Sequence, residues 1–306
     1  MRLALVVPVL AFSCFASASF ELVMALDSTN HTVHRIDGER SIYLGNFGAN
    51  RLVNPCAMVV QQSANRAHVY DPTQRAVISF DYNTGEKVGE TAMPNFSYAT
   101  LALGTNGDFL VGDFFTNTAR RYNQVGTLVG VFTAPAGAIG TRAMMQAADG
   151  NYYIAWSGAN VITRHNAAGA ILATVTTAST AVSDCRQMFV QNGTVVLSGG
   201  SSGKWVRSTY SSSASWGTLT ETTFTPFSYG VSGAHFNTIY AGGYPTSGTV
   251  LLNSYSLTTG AQMSSYTIPG ASNLVALGTV IAPEPQTYLA MLVGGLGILS
   301  RRKRRA

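Results

Sequence analysis

The chain has 306 residues, of which 46% are hydrophobic and only 11% charged, a balance that excludes a disordered polyelectrolyte. Its 19 Lys+Arg against 14 Asp+Glu give a formal charge of +5. One of those bases is Arg2 and five lie in the last six residues, so between Ser19 and Pro283 13 basic residues face 13 acids. The body is neutral, and the basic footprint of a nucleic-acid binder is absent.

The chain opens MRLALVVPVLAFSCFASASFELV. Arg2 is a minimal positive segment, Leu3 to Phe15 an apolar core, and Ala16-Ser17-Ala18 supplies the small residues that signal peptidase accepts. Residues 1–18 are therefore expected to be a secretory leader cut after Ala18. Cys14 leaves with it, and Cys56 and Cys185 remain in the exported body.

From Tyr98 onward three segments align, YATLALGTNGDFLVGDFFTNTARRYNQVG, RAMMQAADGNYYIAWSGANVITRHNAAG and RQMFVQNGTVVLSGGSSGKWVRSTY. Each has an apolar strand, an Asn-Gly or Asp-Gly turn, and an aliphatic second strand. The turn glycines 107, 150 and 193 are 43 residues apart. Such dipeptides predict two-residue hairpin turns with both central residues at positive φ. A later glycine recurs at 38, 85, 126, 169, 217 and 260, at intervals of 41 to 48 residues, the length of a four-stranded propeller blade.

The first repeat, from Phe20, lacks an innermost strand, and Ser272 to Val280 (SNLVALGTV) is placed to supply it. Residues 19–281 are expected to form an all-β, six-bladed β-propeller whose N- and C-terminal strands share the first blade, which pairs the sheet edges at the seam. Seven blades or an irregular β-sandwich are the alternatives. The middle repeats resemble the blades of NHL-type and streptogramin-lyase-like propellers, with LALGTNGDFLVGDFFTNTARRYNQVG the best match. The fifth and sixth repeats depart from that pattern, with a serine-rich insertion at 211–215.

Chemistry-bearing motifs are scarce. No Gly-x-Ser-x-Gly elbow, His-Glu-x-x-His or Asp-x-Asp-x-Asp loop occurs. His31 and His34 are three apart, a spacing that sends strand side chains to opposite faces, and they read as solvated residues of a loop or strand. His68, His165 and His235 stand alone as packed or surface residues. No acid lies between Glu221 and Glu284, so a carboxylate-rich funnel cannot be drawn from the last blades. Asp108, Asp113 and Asp149 fall at turns and strand ends. No catalytic residue, metal site or cofactor is expected. Cys56 and Cys185 precede inner strands of opposed blades, too far apart for a disulfide, so two free, partly buried thiols are expected. Residues leading into inner strands line a propeller's channel mouth: Asn54, Tyr98, Arg142, Arg186, Tyr229 and Asn273. Of these, Tyr98, Arg142, Arg186 and Tyr229 form the possible ligand site, an aromatic and arginine mixture suited to sugars or anionic polysaccharide.

The chain closes APEPQTYLAMLVGGLGILSRRKRRA, residues 282–306. Pro283 and Pro285 fix the start of a helix at about 286–300 that is short for a bilayer. Arg301, Arg302, Lys303, Arg304 and Arg305 form a basic cluster expected to stay cytoplasmic. Pro283-Glu284-Pro285, a short apolar span and an arginine-rich end together resemble the PEP-CTERM sorting signal. Alanine stands at 282 where that family often has valine. The resemblance implies a Gram-negative bacterium that makes exopolysaccharide, and an exosortase-type membrane protease that cuts near Pro-Glu-Pro. The chain is thus expected to be membrane-anchored transiently, then to reach the cell surface or matrix as a non-catalytic binding or structural protein associated with exopolysaccharide. The alternative is a propeller lyase or lactonase acting on an extracellular carbohydrate or small ester.

Overall fold

In a computed structural model the described residues are 19–176, 185–191, 194–198, 204–209, 220–223, 231–235, 238–242 and 249–283. The leader 1–18, the tail from Glu284 and Tyr229 lie outside them. The chain divides into a large unit, Glu21–Val280, and a small one formed by residues 1–20 with 281–306. Of the small unit, only the strand ends 19–20 and 281–283 are described.

All described regular structure is β, apart from one 3-10 turn at Gln62–Ala64, and no described helix is long and apolar enough to cross a membrane. Six four-stranded sheets follow one another in a propeller arrangement. Sheet 1 takes Leu274–Pro283, Ser19–Asp27, Thr32–Asp37 and Ile42–Phe47, in that spatial order. Sheet 2 is Ala57–Gln61, Arg66–Asp71, Ala76–Asp81 and Lys87–Ala92. Sheet 3 is Ala99–Leu103, Phe109–Asp113, Thr118–Tyr122 and Leu128–Thr133. Sheet 4 is Ile139–Gln146, Tyr152–Ser157, Val161–His165 and Ile171–Thr176. Sheet 5 is Gln187–Gln191, Thr194–Ser198, Lys204–Thr209 and Thr220–Thr223, and sheet 6 is Val231–His235, Thr238–Gly242, Leu251–Ser256 and Gln262–Thr267. The strand supplied by the chain's far end does complete the first repeat.

The apolar core lies between consecutive sheets. Tyr70 and Val77 of sheet 2 pack with Phe109 and Val111 of sheet 3, and Leu110 and Phe132 of sheet 3 pack with Ile154 and Trp156 of sheet 4. The series continues through Tyr153 with Leu197, then Val196 with Ile239. It returns to the first sheet through Tyr240 and Leu252, which meet Val23, Leu274 and Leu277. Middle strands such as Tyr152–Ser157 are buried throughout, as strands covered on both faces must be, whereas outer strands such as Ile171–Thr176 are mostly exposed.

The hairpin turns differ from the two-residue expectation. Gly104 N–H donates to Asp108 O across the first, and Gly107 N–H to Gly104 O. Ala147, Gly150 and Asn151 repeat the pattern. Gly107 and Gly150 have φ of +84° and +80°, but Asn106 and Asp149 stay at negative φ. These are three-residue loops, a type I turn followed by a left-handed glycine, so only the glycine needs the unusual conformation. Asn106 instead uses its side chain, accepting from Asp108 N–H and donating to the Asp108 carboxylate.

Candidate functional site

The turns that leave the second strands build the mouth. In sheet 1 Asp27 ends that strand and accepts from Thr29 and Asn30 N–H, and in sheet 2 Asp71 does the same for Thr73 and Gln74. Each carboxylate also grips the segment entering an inner strand: Asp27 takes Ser272 and Asn273 N–H, and Asp71 takes Val53 and Asn54 N–H. Burial works to raise Asp27, but His34 and these N–H donors outweigh it and hold its carboxyl at about 2. In sheet 3 Asp113 accepts only Phe115 N–H, while Phe114 N–H donates to Tyr98 O. That turn carries two phenylalanines.

Sheet 4 is shaped to meet them. Its inner strand pairs Ile139 with Ser157, Thr141 with Trp156 and Ala143 with Ala155, so Gly140 and Arg142 are extra residues at two bulges. Bulges re-aim side chains. Gly140 sits at φ +69° and donates to Thr116 O at 2.9 Å, and a Cβ there would stand 2.2 Å from Phe114 O. This close approach brings Arg142 over the Phe114 ring, 4.5 Å from its centroid, while Arg186 approaches the same ring at 4.4 Å. Both distances suit cation–π attraction. Tyr98 lies nearly parallel to Phe114 at 6.4 Å and edge-on to Phe115 at 5.7 Å. Phe114 is buried, but Tyr98 and Phe115 are 55% and 72% exposed, which makes them open platforms.

Three of the four sequence-derived ligand residues, Tyr98, Arg142 and Arg186, are therefore brought together on one ring. Tyr229, outside the described residues, is not placed. Asn273 and Asn54 serve the Asp27 and Asp71 grips through their backbone, and Asn273 Nδ2 is held by Ser28 Oγ. Phe114 and Phe115 were missed. The Asp-Phe-Phe run, standing where the first two repeats have Asp-Ser-Thr and Asp-Pro-Thr, was the available signal.

Arg142 is half-buried, its Nε is buried without a hydrogen bond, and no described carboxylate pairs with it. A guanidinium left this way, backed by aromatic rings, suits an anion that accepts its N–H groups. Arg186 also lines a partly open cavity of about 170 Å³ between inner strands, with Met58, Leu101, Met144, Met188 and Leu277 among its other walls. Gln187 Nε2 bridges to Leu277 O at 2.6 Å.

His34, His68 and His165 are buried and serve packing, and His34 departs from expectation; the side chain of His235 lies outside the described residues. His34 is buried, with Nδ1 at 3.1 Å from Tyr43 Oη and Nε2 at 3.5 Å from Asp27, because its strand position faces the neighbouring sheet and the Asp27 grip. His31 is in the preceding turn at φ 55°. His68 is held by Ser79 and Gln61, and burial pushes it down to about 4. His165 bonds Thr163 and Gly169 O, and burial lowers it too. Neither Cys56 nor Cys185 forms a disulfide; Cys185 is fully buried, and burial raises Cys56 to about 11, which makes it a poor nucleophile. Among the described residues no group of His, Cys, Asp and Glu is placed to hold a metal ion.

No family model matches the chain, and no curated protein matches it. Solved structures do resemble it. A protein of unknown function from Bacteroides caccae has 12% identity and a TM-score of 0.64, over 86% of this chain and 99% of that one. A chain from a nidogen/laminin complex has 11% identity and a TM-score of 0.64, over 85% and 98%. At these identities the likeness shows the fold alone.

Proposed function

We propose that this chain is an exported surface or matrix protein, a closed ring of six blades that binds an acidic polysaccharide at the mouth built by Tyr98, Phe114, Phe115, Arg142 and Arg186. The observation that carries the reading is the unpartnered Arg142 guanidinium on Phe114, flanked by exposed aromatic platforms. Sugar rings stack on such platforms through their C–H faces, and a carboxylate or sulfate substituent supplies the counter-charge. Export rests on the leader cut by signal peptidase after Ala18, and sorting rests on Pro283-Glu284-Pro285 with its apolar span and basic end, the substrate pattern of an exosortase-type protease.

Two measurements test the reading. Intact mass and carboxy-terminal peptide mapping of the protein recovered from its own cells should give a chain starting at Ser19 and ending near Pro283. A chain still ending at Ala306 would make the tail a lasting anchor. Retention on an immobilised acidic polysaccharide should exceed that on a neutral one and fall at least tenfold in Arg142→Ala, the loss expected for a charge-assisted contact. Equal retention of the two proteins would remove the binding site from the mouth.

A further inference from the structure

The mouth does not end at Phe114. Arg186 is shared by two environments: its guanidinium lies over that ring, and the residue also lines the cavity between the inner strands. We propose that this cavity is a second binding site, for a small amphipathic carboxylate whose head bonds Arg186 and whose apolar part enters the channel.

The wall decides the ligand class. Three methionines, Met58, Met144 and Met188, with Leu101 and Leu277, supply a soft apolar part of the lining, and no acid contributes to it. Thioether side chains adapt to irregular apolar shapes, so the wall favours an alkyl or aryl group of no fixed outline. The volume is about 170 Å³, close to the ~150 Å³ of an apolar cavity that takes up benzene. The ligand's apolar part is thus a ring or a short chain, far smaller than a lipid. The polar side chains of the lining are Thr100, Arg186, Gln187 and Thr279. Gln187 is committed to Leu277 O, and Thr100 lines the cavity with a buried hydroxyl that bonds nothing. Arg186 is the cation among them, and Cys56, the titratable group whose field it meets, stays a neutral thiol. A neutral apolar molecule would make no use of the Arg186 charge; a dianion would have to place its second charge among methionines.

The cavity shares Arg186 with the polysaccharide mouth, but Tyr98, Phe115 and Arg142 do not line it, so each site can be altered without the other. Calorimetric titration of the full chain with straight-chain monocarboxylates from acetate to decanoate, plus phenylacetate, tests it. Affinity should climb by about fourfold per methylene and stop rising once the cavity is full. The matching primary alcohols should bind at least tenfold more weakly, and Arg186→Gln should bring the acids down to the alcohols' level. Val59→Phe, which fills the cavity from the sheet 2 strand, should abolish binding with thermal unfolding retained. Should that variant fail to fold, Met188→Ala decides instead, by moving the best chain two or three carbons longer. No binding at millimolar concentration, affinity indifferent to chain length, or acids and alcohols bound alike would each overturn the proposal. Val59→Phe changes the cavity and leaves the mouth residues in place, whereas Phe115→Ala changes the mouth and leaves the cavity lining in place, so the failure of one site is distinguished from the failure of the other.

Discussion

Gly140 shows how much of the mouth hangs on a single missing side chain. Its φ of +69° disfavours any L-residue, and the nearest obstacle to a Cβ is a backbone oxygen that cannot rotate away. Gly140→Ala should therefore cost at least ~2 kcal/mol in chemical denaturation and loosen the contact that holds Arg142 over Phe114. Glu21 gives a second residue-scale expectation. Burial raises its carboxyl to about 7 despite the Tyr240 hydroxyl bond, and Glu39 and Asp37 add to the rise. The folded chain holds this proton where the unfolded chain, near 4.5, has released it. Stability from this group is complete below about 4.5 and declines as pH rises through about 7. The limit is ~1.4 kcal/mol for each unit of difference. Glu21→Gln, which keeps an acceptor for Tyr240, should flatten the stability profile between those values, and an unchanged profile would assign the slope elsewhere.

At the scale of turns and strands, an aspartate grip in sheets 1 and 2 ties the segment entering an inner strand to the turn that leaves the second strand. Asp27 accepts four backbone N–H groups, so Asp27→Ala should destabilise by about 3 kcal/mol or more. Here the sign is the reverse of Glu21. The folded pKa of about 2 lies below the ordinary 3.8, so the contribution is present above about 3.8 and disappears as pH falls through 2. Acid titration of wild type against the variant should converge there. Much of this scale was legible in the sequence, because glycine spacing and apolar alternation report local backbone demands. The strand supplied by Ser272 to Val280 was readable for the same reason. The three-residue loops were not, since Asn-Gly fits both turn classes and only the hydrogen-bond register separates them. Arg142 was legible as a mouth residue but its bulge was not, and Phe114 was invisible as a shared platform because three different sheets meet on it.

The molecule as a whole depends on joining its ends. The strand beginning at Leu274 does two things at once: it pairs with the strand from Ser19, and it inserts Leu274 and Leu277, each 1% exposed, among Val23, Tyr240 and Leu252. Its approach residues also supply the N–H groups that satisfy Asp27. A chain ending after Ala271 would lose all three contributions and leave the first strand with an open edge, a template for aggregation. Two buried leucines alone are worth about 3–6 kcal/mol, comparable to the whole stability of many domains. That truncation should abolish cooperative unfolding and drive the protein into aggregates on size-exclusion chromatography. Leu277→Ala, a milder cut at the same place, should cost about 2–5 kcal/mol with the fold kept. A chain ending after Pro283 keeps the strand complete and should melt with the full-length protein. If the shortest chain also melted normally, the sheets would be closing without their last strand. The proposed sorting cut near Pro-Glu-Pro would have to fall beyond this last strand, which stops at Pro283.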